Sequence, residues 1–188
     1  MPLNDLVING LKHETSHSEN NKTISLSQKS GEIILFFEID NDMCKTKNRI
    51  LEFKQNELSY IIDKGAVCDL LIVYSKQNLE CKLFLLVELK GDTEEQVRKA
   101  IRQIIVTYKH LECELKHRLD KNSYSKIKWI GLILSGGCSP NRFKQPLKEE
   151  SKKFGYSTPP IPILLISEQK ADDKVVRRNV NGYRSNLM

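Results

Sequence analysis

Residues 66–91 read AVCDLLIVYSKQNLECKLFLLVELKG, two apolar runs separated by a short polar segment. The aliphatic and β-branched residues from Ala66 to Tyr74 and from Leu83 to Lys90 predict two β-strands. The polar stretch from Ser75 to Lys82 predicts the turn that joins them. We therefore expect a β-hairpin here, and its pairing decides where the charged residues of both strands lie.

Three charged residues interrupt these apolar strands, namely Asp69, Glu88 and Lys90. Glu88 and Lys90 are two positions apart on one strand and therefore point to the same face, which leaves Val87 and Leu89 for the other face. Charged side chains are almost never buried without a partner. The apolar surroundings therefore favour a functional site over a solvated pair.

The register of the hairpin brings the two acids together. If the hairpin closes symmetrically about Asn78 and Leu79, Asp69 lies directly opposite Glu88, because both are equally far from that centre. Directly opposed side chains have Cβ atoms about 4.5 to 5.5 Å apart, where like charges repel. A cation would relieve that repulsion.

The run Gly65-Ala-Val-Cys-Asp69, followed by Val87-Glu-Leu-Lys90-Gly91 and a long helix, resembles the PD-(D/E)xK nuclease superfamily of restriction-endonuclease-like enzymes. The resemblance covers residues 57–135, and Cys68 stands where the family often has proline. It implies an α/β fold with an αβββαβ core, in which a mixed central sheet is flanked by helices.

The resemblance also implies a catalytic site. Asp69 and Glu88 would bind a divalent metal, Mg²⁺ or Mn²⁺, and Lys90 would position or activate the water that attacks a phosphodiester. The residue chemistry agrees, since Mg²⁺ is usually held by one or two carboxylates together with water and phosphate oxygens. The alternative is a half-exposed hairpin whose Glu88 and Lys90 are solvated or paired with each other.

A long amphipathic helix follows the second strand. Asp92 or Thr93 is a suitable N-cap, and Lys116 and Arg118 match the helix dipole in the last turn. One apolar stripe at helical spacing should pack on the sheet. Its members are Val97, Ile101, Ile104, Tyr108, Leu111 and Leu115.

Gln103 lies on one flank of this stripe. Relatives in the nuclease family often carry a helical glutamine that helps to hold the water or metal, sometimes within a QxxxY motif. In this chain Tyr108 follows Gln103 one residue too late for that motif. The resemblance implies an auxiliary catalytic role for Gln103, and the alternative is an exposed helix glutamine.

Further elements are expected on both sides of this core. Downstream we predict a buried strand at Lys128 to Ser135, a glycine turn at Gly136 to Pro140, a helix at Pro146 to Phe154 that ends at Gly155, and a strand at Ile161 to Ile166.

Upstream, the sequence pattern predicts a helix at Leu3 to Lys12 and a strand at Ile33 to Ile39. The family often adds a further acid on an upstream helix. The residues that could fill that role are Glu14, Glu38, Glu52 and Glu57.

Composition describes a globular protein of 188 residues, 39% hydrophobic and 29% charged. We predict a single domain with an N-terminal part at 1–56, a core at 57–166 and a loose basic tail or docking arm at 167–188. No apolar run approaches the roughly 20 residues that cross a bilayer, and the N-terminus lacks a signal peptide pattern. We therefore expect a cytoplasmic protein with no membrane partner.

Basic residues concentrate in the second half of the chain. The net charge is +6, yet the segment from Lys116 to Lys153 alone holds ten basic and three acidic residues. Such a surface attracts polyanions, although a lysine-rich solvated face is also common. The residues expected to contact nucleic acid are Lys116, Lys121, Lys126, Arg142 and Lys144.

Together these observations predict a metal-dependent nuclease that hydrolyses DNA, with RNA not excluded. A homodimer or a partner subunit could supply recognition. The alternative is a catalytically inactive nucleic-acid-binding or complex-forming subunit of the same fold. A nucleotide-binding domain built on the Gly136-Gly137 turn is the weakest hypothesis, because that turn has no lysine.

Overall fold

The computed structural model describes residues 11–12, 15–39, 67–77, 79–90 and 92–183. The elements in chain order are β1 (Leu11–Lys12), β2 (Ser16–Glu19), β3 (Lys22–Ser25), β4 (Glu32–Glu38), β5 (Leu70–Lys76), β6 (Lys82–Leu89), α1 (Glu94–Arg118), α2 (Lys121–Ser125), β7 (Ile127–Leu134), α3 (Pro140–Lys153), β8 (Ile163–Ile166), β9 (Lys170–Ala171) and α4 (Asp173–Tyr183).

These strands form two mixed sheets. The larger sheet has the order β1-β4-β5-β6-β7-β8, in which β1, β4, β5 and β6 pair antiparallel and β7 and β8 continue parallel to β6. The smaller sheet has the order β2-β3-β9, with β9 parallel to β3. The mixed α/β class predicted from the sequence is confirmed.

The hairpin of β5 and β6 has the predicted register. Leu70 pairs with Val87 and Tyr74 with Leu83, so paired residues are equally far from the point between positions 78 and 79. One step further along this register Asp69 faces Glu88. Strand β5 begins only at Leu70, so Asp69 lies immediately before it rather than inside it.

Each face of the larger sheet covers its own apolar core. On one face Leu71 and Leu86 pack with the buried stripe of α1. On the other face Leu85 and Leu132 pack with Ile24 of β3 and with Val176 of α4. Because strand side chains alternate between faces, Asp69 and Glu88 lie on the α1 face.

Helix α1 matches its prediction closely. Thr93 is the N-cap and forms a capping box with Gln96, whose side chain accepts a hydrogen bond from the Thr93 backbone. All six residues of the predicted apolar stripe are buried. Among the described helices, none combines the length and the apolar composition that a membrane span requires.

The large sheet also extends beyond the predicted core. Strand β4 pairs along the whole of β5, so residues assigned to the N-terminal part belong to the same sheet as the core. Leu11 and Lys12 form strand β1, and the helix predicted there is therefore wrong for these two residues. The rest of that prediction, at residues 3–10, lies outside the described residues.

Helix α3 begins at Pro140, earlier than predicted, because Ser139-Pro140 provides an N-cap residue followed by proline at a first-turn position. Pro146 lies within the helix rather than at its start. The predicted end is confirmed, since Gly155 follows the helix with a φ of +81°. Strand β8 is shorter than predicted and starts at Ile163.

The described part of the C-terminal segment, residues 167–183, is not a loose tail. It contains β9 and helix α4, whose Val176 and Val180 are buried in the second core. Of the two predicted alternatives, a loose tail or a docking arm, the structure agrees with a docked segment; its apolar residues are too few and too widely separated to give a helical pattern. This part of the chain docks on the sheet instead of extending from it.

Arg177 fixes α4 to the sheet through a buried ion-pair network. Its guanidinium donates to both carboxylate oxygens of Glu32 at 2.9 and 2.8 Å, and Tyr74 Oη donates to Glu32 at 2.9 Å. Asp173 and the carbonyl of Ser27 accept the remaining Arg177 hydrogen bonds at 2.7 and 2.9 Å. Every group in this network is therefore satisfied.

We predict that Arg177→Ala lowers the free energy of unfolding by about 3 to 5 kcal/mol, because it leaves the buried Glu32 carboxylate without its guanidinium. The matched control is Arg178→Ala. Arg178 is 65% exposed in its pair with Glu168, so its loss should cost less than about 1 kcal/mol. Urea denaturation of both variants measures the difference, and equal costs would contradict the proposed anchoring.

We predict a pH dependence for the same network. Burial alone would raise the pKa of Glu32, but hydrogen bonds from Arg177 and Tyr74 outweigh it and lower the pKa to about 2, from an ordinary 4.5. A lowered pKa adds stability that is complete above the ordinary value and is lost as the pH falls through the folded value. The stability difference between wild type and Glu32→Gln should therefore shrink between about pH 4.5 and 2. A difference independent of pH would disprove this.

Candidate functional site

Three predicted site residues meet at one end of the hairpin. Asp69 lies just before β5, Glu88 lies near the end of β6, and Lys90 follows β6 directly. Asp69 is 1% exposed and Glu88 is fully buried. The side chain of Lys90 remains 15% exposed. The site is thus a buried carboxylate pair covered by one partly accessible ammonium.

Reciprocal hydrogen bonds hold the two carboxylates. The backbone N–H of Asp69 donates to Oε2 of Glu88 at 3.1 Å, and the N–H of Leu89 donates to Oδ2 of Asp69 at 2.6 Å. Each acid is therefore held by the backbone of the opposite strand, and their orientation follows from the strand register.

The second oxygen of each carboxylate faces Lys90. The Lys90 Nζ atom lies 2.5 Å from Oε1 of Glu88 and 3.7 Å from Oδ1 of Asp69. Two oxygens from different strands therefore converge on one cation. The charge conflict expected from the sequence is relieved here by the ammonium of the chain itself.

The buried position shifts the protonation of this cluster. Burial, and after it the Asp69 charge, raises the pKa of Glu88 well above its ordinary value. Burial would lower the pKa of Lys90, but the charges of Glu88 and Asp69 raise it, with a smaller contribution from Glu19. Lys90 is thus held as a cation, and a metal at Glu88 would compete with a proton.

The donor set suits a hard divalent cation. Two carboxylates with converging oxygens are what Mg²⁺ or Mn²⁺ takes from a protein, and water and phosphate oxygens complete its shell. Within the described residues no group of three or more His, Cys, Asp or Glu side chains forms a metal site. Asp69 and Glu88 are thus the two carboxylates that this part of the chain would offer to a metal here.

The upstream acid has no confirmed position. Glu38 ends β4 and pairs across the sheet with Leu70, the residue after Asp69. Glu14, Glu52 and Glu57 lie outside the described residues. Sequence reasoning overlooked Glu19, whose charge acts on Lys90 from the end of β2.

Gln103 is 2% exposed, so the expectation of an exposed helix glutamine is wrong. Its Nε2 donates to the carbonyl of Val67 at 2.7 Å. The adjacent Thr107 hydroxyl accepts from the N–H of Cys68 at 2.9 Å and donates to the carbonyl of Gln103 at 2.8 Å. Helix α1 therefore holds the backbone that leads into Asp69 through the side chains of Gln103 and Thr107.

The hairpin of β2 and β3 contacts residues on both sides of Lys90 in the sequence. Asn20 Nδ2 donates to the carbonyl of Leu89 at 3.4 Å, and Lys22 Nζ lies 3.2 Å from Oδ1 of Asp92. Sequence reasoning missed this hairpin because its residues are polar. The paired asparagines at its turn were the available signal.

The Gly136-Gly137 turn packs against the same region. A Cβ atom on Gly137 would lie 2.4 Å from Cβ of Asp92 and 3.2 Å from its carbonyl oxygen. Glycine is thus required by close packing after β7. This supports the tight turn that the sequence favoured over a phosphate loop.

The predicted basic surface is divided between two ends of the sheet. Lys126 precedes β7, and its carbonyl accepts from the N–H of Lys82 where β6 begins. Because Lys82 is six residues from Glu88, Lys126 lies about 20 Å along the strand from Glu88, at about 3.3 Å per residue. Lys121 lies near it, and Lys116 pairs with Glu112 at 3.0 Å. These three residues are not brought to the carboxylate site.

Arg142 and Lys144 are placed differently. Both are exposed on the first turns of α3, which follows the end of β7 that lies beside Glu88. They are the predicted nucleic-acid contacts that share an end of the sheet with the carboxylates.

Comparisons with protein-family models, with curated proteins and with solved structures find no match for this chain.

Proposed function

We propose that this protein is a metal-dependent nuclease of the restriction-endonuclease-like type that hydrolyses phosphodiester bonds in DNA. The observation that carries the proposal is the convergence of Asp69 and Glu88 oxygens on the position of Lys90 Nζ. The order β4-β5-β6-α1-β7 also corresponds to the βββαβ part of the core that the family resemblance implies.

Each residue of the site has a distinct role in this proposal. Asp69 and Glu88 would hold a Mg²⁺ or Mn²⁺ ion, which would supply Lewis acidity and make water more acidic. Lys90 orients the attacking water and offsets negative charge on the phosphate. Gln103 and Thr107 keep Asp69 in register with Glu88 through the Val67–Cys68 backbone.

The nucleic acid backbone would lie across the end of the sheet that carries the site. Arg142 and Lys144 are exposed cations at that end, and cations position a duplex through its phosphates. Lys116, Lys121 and Lys126 lie at the other end, so their contacts would require a second partner surface. A homodimer or a partner subunit would bring such a surface.

One observation favours the alternative of a non-catalytic nucleic-acid-binding subunit. Lys90 Nζ already lies within ion-pair distance of both carboxylates. The acids are therefore compensated by the chain itself and have no need of a metal for stability. In that case DNA would bind without being cut.

We predict that the wild-type protein cuts supercoiled plasmid DNA in the presence of Mg²⁺ or Mn²⁺. Asp69→Asn and Lys90→Met should each reduce the rate by about 100-fold or more, because each removes a group that stabilises charge in the transition state. Lys99→Met, on an exposed position of α1, is the matched control and should retain full activity.

Gel analysis of plasmid and of RNA, with unfolding curves for each variant, provides the measurement. Wild-type protein that cuts neither substrate with either ion would refute the proposal. Salt-dependent retention of DNA without cutting would instead support the non-catalytic subunit.

We predict that the two basic groups contribute unequally to DNA binding. The double variant Arg142→Ala/Lys144→Ala should reduce the dependence of log K on log salt by about 2, since each phosphate contact contributes about 0.9 to that slope. Lys121→Ala/Lys126→Ala is matched in charge and should leave it unchanged. Fluorescence anisotropy in Ca²⁺ at several salt concentrations measures both, and equal losses would contradict the assignment.

A further inference from the structure

The turn between β2 and β3 is an exposed polar projection next to the proposed cleavage site. Ser18, Glu19, Asn20 and Asn21 form this hairpin tip, and all four are exposed. The charge of Glu19 reaches Lys90, and the amide of Asn20 contacts the carbonyl of Leu89. A substrate seated at Lys90 would therefore lie beside the hairpin tip.

The hairpin tip is held firmly at its base. Lys22 is only 4% exposed and pairs with Asp92, two residues beyond Lys90. The N–H of Thr23 donates to the carbonyl of Gln169 at 2.9 Å, and β3 continues as the central strand of the smaller sheet. The hairpin can thus present side chains in a fixed direction.

The chemistry of the hairpin tip suits base edges better than phosphates. Its side chains are two amides, a hydroxyl and a carboxylate, whereas the nearby Lys22 is buried against Asp92. Phosphates are contacted mainly by cations, while amides bond adenine and carboxylates accept from cytosine. Strand β9 pairs with β3 only at Thr23 and Ile24, so the hairpin is two-stranded at its tip. A two-stranded β-ribbon has the width that the major groove admits.

The turn has asparagine at two positions whose backbone conformation favours glycine. Asn20 and Asn21 have φ angles of 52° and 62°, in the left-handed region. Two-residue hairpin turns of this kind favour glycine at the second position. Asparagine at position 21 adopts the same conformation and adds an exposed amide.

We propose that the hairpin tip contacts base edges in the major groove next to the scissile phosphate and so determines which sequences the protein prefers. This inference rests on the proposed nuclease function. It assigns sequence preference to β2 and β3 rather than to a separate recognition domain.

The test replaces one side chain without changing the turn. Asn21→Gly keeps a residue that favours a positive φ and removes the amide, while the contact of Asn20 with Leu89 remains. We expect its KM for DNA to rise by about fivefold or more, the lower limit for one lost base contact. We expect a smaller change in kcat, and the wild-type preference among cutting positions should become more even. Asn122→Ala, an exposed asparagine on α2, is the control.

Binding is measured in parallel by anisotropy in Ca²⁺ against duplexes of different sequence, so that the two proposals can fail separately. If wild type cuts and Asn21→Gly matches the control in KM and cutting pattern, this inference is wrong and the nuclease proposal stands. If wild type binds DNA without cutting it and Asn21→Gly loses the sequence preference, the role of the hairpin tip in base contacts holds and the nuclease proposal is wrong. Wild-type protein that binds no nucleic acid overturns both.

Discussion

Asp69 and Glu88 are held across the hairpin by reciprocal hydrogen bonds from the backbone of the opposite strand, and the site depends on this exchange. Burying a carboxylate is costly unless it is hydrogen-bonded and paired with opposite charge. Here one oxygen of each acid receives a backbone N–H and the other faces the Lys90 ammonium. A slip of one residue in the strand register would send these side chains to different faces and remove the arrangement altogether.

The same sheet carries a second set of buried charges around Glu32, which differs from the Asp69–Glu88 site in how completely its oxygens are bonded. Glu32 begins β4 opposite Lys76, at the end of the hairpin away from Glu88. It receives hydrogen bonds from Arg177, Tyr74 and the Lys29 backbone, so both of its oxygens are saturated. Among the described residues, the group that meets the outward oxygen of Glu88 is a single, partly exposed lysine ammonium. The saturated network at Glu32 stabilises the fold, whereas Glu88 and Lys90 belong to the site that we propose for a metal and a substrate.

Local patterns predicted the parts of the fold in which neighbouring residues decide the outcome. The register of β5 and β6 follows from the position of a polar turn between two apolar runs, and the apolar stripe of α1 follows from helical spacing. Patterns failed where contacts come from distant parts of the chain. The polar segment around Asn20 has no apolar alternation, and the strand that follows its turn is paired on its other side by the distant β9. Helix α4 is fixed to the sheet by the ion pair of Arg177 with Glu32, which leaves no local periodicity either.

The sequence by itself determined that Asp69 and Glu88 would face each other and that Lys90 would share their side of the sheet, because side chains alternate along paired strands. Tertiary structure alone decided which other groups join them. Packing of α1 on the sheet placed Gln103 and Thr107 on the backbone before Asp69, and the parallel pairing of β7 with β6 carried α3 to the site while leaving Lys126 at the far end. The separation of two residues along the chain does not determine how far apart they lie in the fold. That distance is set when a helix packs across the sheet and the next strand pairs beside the previous one.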